Sequence, residues 1–89
     1  MDDALKVELG VFCESTLSHD AFNLVWAEFE RLTYTQILST TPAQVEVREE
    51  VFATYNGATA FLRLMKSFVD QKNSILNADG SNEPDDEPF

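Results

Sequence analysis

The chain is poor in everything that staples a small protein. Its 89 residues hold one cysteine, Cys13, so no internal disulfide can form, and one histidine, His19, which leaves a zinc site short of nitrogen and sulfur ligands. The longest uninterrupted apolar run is "LVWA" at 24–27, far below the roughly 20 residues that cross a bilayer. Glycine and proline occur three times each, so the chain has few breakers and its helices can run long. A domain of this length buries only about 60–65% of its unfolded surface. With no covalent or metal cross-link, the sequence leaves oligomerisation or docking on a partner as the route to added stability.

Basic residues are also scarce. Six lysines and arginines stand against sixteen aspartates and glutamates, a formal net charge of −10. The segment 77–89 contains Asp79, Glu83, Asp85, Asp86 and Glu87 and no cation, so it carries half of that charge. Such a balance repels phosphates and argues against direct nucleic-acid binding. It is compatible with mimicry of DNA, in which carboxylates occupy a basic groove of another protein. The start, "MDDALK", is acidic where a secretory signal would be basic and lacks an apolar stretch, which predicts a protein that stays in the cytoplasm where it is made.

What is present is helical periodicity. In "DDALKVELGVFCES", Asp2 or Asp3 can cap a helix that sets Leu5, Leu9, Phe12 and Cys13 on one face, with Gly10 weakening it. Ser18 is a candidate cap for a second helix to about Leu38, where Phe22, Val25, Trp26, Phe29 and Leu32 recur at three- and four-residue steps and Glu28, Glu30 and Arg31 point away. In "STTPAQ", Thr41 as cap, Pro42 at the first helical position and Gln44 at the third form a capping box that starts a new helix. That helix is expected over about 42–76. Val51, Tyr55, Ala58, Leu62, Met65, Val69 and Leu76 make its stripe, and Phe52, Phe61, Phe68 and Ile75 widen it. A helix of about 20 residues against one of about 35 leaves the far turns of the longer one uncovered, for the first helix or a second subunit to cover. Gly57 reads either as a place of close helix approach, with Ala58 and Ala60 beside it, or as a break into two helices.

The chemistry of an enzyme is mostly absent. His19 beside Asp20 reads as a solvated first-turn residue rather than part of a triad. "NADGSNEPDDE" lacks the aspartate order and the twelfth-position glutamate of a calcium loop. There is no glycine-rich phosphate loop, nucleophile elbow or paired-cysteine site, so no catalytic residue, no metal ligand and no cofactor is expected. Glu46, Glu49 and Glu50 with Arg48 read as a solvated face.

Two resemblances bear on role. The stretch "LSHDAFNLVWAEFERLTYTQILSTTPAQVEVREEVFATYNGATAFLRLMKSFVDQKNSI" resembles a group of small helical tailed-bacteriophage proteins through Asp20, Phe22, Thr41, Arg48, Glu49, Leu62 and Lys72, over about 17–76. This resemblance implies a phage-encoded protein of the structural or packaging region. Separately, "DDEPF" at 85–89 is similar to the acidic tip of bacterial single-stranded-DNA-binding proteins. That similarity implies a ring, Phe89, seated in an apolar pocket behind Pro88, with its carboxylate paired to a basic residue and Asp85 and Asp86 meeting a basic rim.

The expected fold is therefore all-α, a small bundle of about three helices: a short N-terminal helix plus an antiparallel helical hairpin, with a helical domain at 1–76 and an acidic tail at 77–89. The expected role is that of a non-enzymatic protein acting by protein–protein interaction, a virion or head-assembly accessory component in the host cytoplasm or the particle. A soluble effector that mimics DNA or the acidic tip to occupy host proteins is the alternative. Expected partners are phage structural subunits or a host protein with a basic, apolar pocket, together with further copies of the chain; no nucleic acid and no membrane is expected. Phe22, Trp26, Phe29, Phe52, Phe61 and Phe68 are the expected core or interface anchors, and Asp85, Asp86, Pro88 and Phe89 the expected partner-binding residues.

Overall fold

A computed structural model describes residues 1–80. Three helices, α1 (Asp3–Leu17), α2 (Asp20–Leu38) and α3 (Val45–Gly80), account for nearly all of them, and no strand occurs among the described residues. The fold is thus an all-α arrangement of three helices. It divides into two compact units. One joins α1 to the second half of α3, residues 63–80, and the other is Ser18–Leu62, a hairpin of α2 and the first half of α3. Of the two covers expected for the far turns of the longest helix, the first helix or a second subunit, the first helix packs there within the first unit.

Each boundary has a local cause. The Asp2 carboxylate accepts from the Leu5 N–H at 2.8 Å, which caps α1. At α2 the cap is His19, one residue later than the expected Ser18: its backbone is extended and its Nδ1 accepts from the Ala21 N–H at 3.1 Å. His19 therefore holds the helix entry from outside instead of occupying the first turn. The last carbonyls of α2 are satisfied by hydroxyls, Ser39 Oγ donating to Gln36 and Thr40 Oγ1 to Ile37.

Only one arm of the expected capping box forms. The Gln44 side chain accepts from the Thr41 N–H at 2.7 Å, but the Thr41 carbonyl, not its hydroxyl, accepts from the Gln44 N–H. Pro42 and Ala43 form a turn, and α3 starts at Val45. Its described course reaches Gly80, four residues beyond the expected 76. At about 1.5 Å per residue its 36 residues span about 54 Å.

Gly57 does not break α3, and a Cβ there would meet nothing within 4 Å. The close approach assigned to Gly57 belongs to Gly10. That glycine is buried in α1, where a Cβ would overlap the Lys72 stem and lie 2.6 Å from the Phe68 carbonyl oxygen. What reads as a weak point of α1 is a point of close approach by α3.

A pair of helices buries one stripe and encloses little. Among the described residues the buried hydrophobics are Cys13 and Met65, and no large side chain is fully buried. Burial pushes the Cys13 thiol up from its ordinary value, since the thiolate would lose its hydration there. Lys72 stands beside them at 7% exposure, its ammonium paired with Glu14. Its register explains the burial: Lys72 lies three residues after Val69 and seven after Met65, so it falls on the inward face of α3.

Candidate interaction surface

The hairpin Ser18–Leu62 closes on an aromatic cluster. Phe29 and Tyr55 stack with ring centroids 5.9 Å apart and planes within 6°, and Trp26 tilts against both, at 5.3 Å from Phe29 and 6.3 Å from Tyr55. The Tyr55 hydroxyl donates to Glu30 Oε2 at 2.8 Å, so Glu30 faces the hairpin rather than pointing away. That bond, more than partial burial, holds the Tyr55 phenol above its ordinary range, because the phenolate would forfeit the donor and face a carboxylate. Thr33 is buried behind the cluster, its hydroxyl donating to the Phe29 carbonyl.

The connection between α2 and α3 is fastened by Arg48. One guanidinium nitrogen donates to Thr40 Oγ1 at 2.9 Å and to the Thr41 carbonyl at 2.7 Å; the other reaches the Pro42 carbonyl at 3.4 Å. Arg48 is half-buried in this role, which corrects its place on a solvated face beside Glu46, Glu49 and Glu50. Arg31 is engaged too, in a two-bond pair with Glu28 one turn away. The pair holds the Glu28 carboxyl below its ordinary range, chiefly through the hydrogen bonds, and raises Arg31. Both cations of the hairpin are thereby occupied.

Two grooves flank the hairpin. One, of about 210 Å³, is lined by Glu30, Thr33, Tyr34, Ile37, Phe52 and Tyr55. The other, of about 390 Å³, is lined by Phe29, Thr33, Gln36, Glu50, Val51 and Thr54. The larger is within the size range of small-molecule sites. Its buried polar side chain, Thr33, already spends its hydroxyl proton on the Phe29 carbonyl and has only acceptor capacity left.

The expected anchors separate into two groups. Phe22, Trp26, Phe29 and Phe68 are half-buried. Phe52 and Phe61 are 50% and 63% exposed, and Val25, Leu32, Phe12 and Leu5 also face outward. Width explains it: two paired helices cover one narrow stripe, so residues on the margins of a broad apolar face stay in solvent. Asp85, Asp86, Pro88 and Phe89 lie outside the described residues. Among the described residues no group of three or more His, Cys, Asp or Glu side chains could hold a metal ion, and no helix is long and apolar enough to cross a membrane. No protein-family model, no curated protein and no solved structure matches the chain.

Proposed function

We propose that this chain is a non-enzymatic interaction protein whose two helix pairs are completed by other protein surfaces, and that it serves as an accessory component of phage head or virion assembly. One observation carries the interaction reading. Cys13 and Met65 are the buried hydrophobics among the described residues, while Phe12, Leu24, Val25, Leu38, Phe52 and Phe61 are each half or more exposed. Single exposed hydrophobics are ordinary on a soluble protein; many large ones on so small a body mark surfaces that function covers. The occupant is another copy or another subunit. What directs the proposal to phage assembly is the resemblance of residues 17–76.

The test is affinity capture from infected host lysate, with the intact chain and a Phe52→Glu/Phe61→Glu variant as paired baits. Recovery of capsid, portal or tail subunits by the intact chain and their loss from the variant is the expected result. Recovery of no particle subunit, with the chain monomeric by sedimentation, would overturn it.

A further inference from the structure

We propose that the groove between Tyr34 and Phe52 receives a basic amphipathic helix of a partner protein. This names the partner chemistry for one face and rests on the interaction reading above. The groove's lining is mainly apolar, from Ile37, Tyr34, Phe52 and the Tyr55 ring. At about 210 Å³ it falls below the usual range for small-molecule sites and suits an inserted side chain.

Further apolar side chains flank the groove on both helices. Tyr34 and Leu38 are one turn apart on α2, Val45 and Phe52 two turns apart on α3, and all four are about half or more exposed. By helical spacing each pair falls on one side of its helix, so the groove between Tyr34 and Phe52 has a further exposed apolar residue beside it on α2 and on α3. A third helix laid over the groove and these flanking residues would offer anchors at i, i+3, i+4 and i+7 and would turn a pair of helices into a bundle.

Charge selects the occupant. Glu30 lines the groove, and Glu49 sits three residues before Phe52, on the same side of α3. Residues 18–62 carry Asp20, Glu28, Glu30, Glu46, Glu49 and Glu50 against Arg31 and Arg48. Arg31 is paired with Glu28, and Arg48 keeps its charge while bonding neutral acceptors of the loop at 40–42, so the six carboxylates against two cations still leave the hairpin with an acidic surplus of four. A helix with apolar residues on one face and lysines or arginines beside them meets both features. A second copy would bring another net charge of −10 toward the same rim.

The experiment uses the full chain and two labelled 18-residue probe helices with leucines at identical positions, one filled with lysine and the other with glutamate, followed by fluorescence anisotropy. The lysine probe should bind saturably at one site, weaken at least tenfold on Phe52→Glu although that variant is more acidic, and weaken several-fold on Glu30→Gln and Glu49→Gln. The glutamate probe should not bind. Circular dichroism checks that each variant keeps its helix content. A full-length variant with Asp79, Glu83, Asp85, Asp86 and Glu87 changed to amides should still bind the lysine probe.

Equal binding to wild type and Phe52→Glu, binding of both probes alike, or loss of binding on neutralising residues 79–87 would overturn the proposal. So would sedimentation showing a dimer of the free chain that Phe52→Glu dissociates, because a second copy would then hold the groove. Those results would leave the broader interaction reading standing, since it is decided by the capture of particle subunits.

Discussion

Gly10 and Lys72 share one gap between α1 and α3: the hydrogen of the glycine leaves the space that the lysine stem fills. A methyl group at Gly10 would have to displace Lys72 and the Phe68 carbonyl. Gly10→Ala should therefore destabilise the protein by about 1–3 kcal/mol despite its better helix propensity. Gly57→Ala, at a position with open space, should stabilise by about 0.5–1 kcal/mol. Urea denaturation followed by far-ultraviolet circular dichroism reads both, and the opposite signs are the check.

Lys72 can be separated into stem and charge. Its stem packs on Gly10 and its ammonium meets Glu14, which is half-exposed. Lys72→Met keeps the stem and should be neutral or mildly stabilising, since a desolvated charge is removed. Lys72→Ala should cost about 2 kcal/mol through lost packing. Equal losses for the two variants would show that the charge, not the packing, holds the helices.

Arg48 makes three bonds to the loop at 40–42 in a fan that a lysine cannot reproduce. Arg48→Lys should recover little of the stability lost in Arg48→Ala, which should be about 1–2 kcal/mol. Backbone amide exchange at 39–44 should quicken in both variants.

Tyr55 makes stability depend on alkaline pH. Its folded pKa lies above the unfolded value near 10, so its contribution is complete below that value and declines as pH rises through the folded pKa. Wild type should lose stability above about pH 10. Tyr55→Phe should be less stable at neutral pH and show a shallower loss over that window, measured as melting temperature against pH.

At the entry to α2, His19 caps with a ring nitrogen where an aspartate or asparagine side chain would serve better. His19→Asp should gain about 0.5 kcal/mol, helped by negative charge at a helix N-terminus, and His19→Ala should lose a similar amount. Thermal melts at pH 7.5 compare the three.

Much of the fold was legible because helical spacing is local. The recurrences Phe22–Trp26–Phe29 and Val51–Tyr55–Ala58 located the paired faces, and Asp2 was a readable cap. The two glycines were harder. Sequence shows that Gly10 and Gly57 both weaken a helix but not which of them meets a neighbour, and that depends on pairing between residues far apart. Glu30, Arg48 and Lys72 look like surface charges, and only their partners Tyr55, the 40–42 loop and Glu14 show otherwise. One signal was available: the place of Lys72 after Met65 and Val69 puts it in the buried register. The aromatic surplus was visible as composition, while the split between half-buried Trp26 and exposed Phe52 and Phe61 follows from how narrow a two-helix contact is.

The unbroken course of α3 through Gly57 bears on how the chain folds. Starting a helix is the expensive step, with a nucleation constant near 0.001, equivalent to about 4 kcal/mol, whereas extending one is nearly free. Because one helix serves both units, whichever unit forms first hands the other a nucleus from which to grow. The second pair of helices then does not have to begin α3 anew. A proline at Gly57 would interrupt α3 inside the hairpin Ser18–Leu62, at a cost of about 3 kcal/mol or more, and leave the hairpin's half of the helix to be started twice.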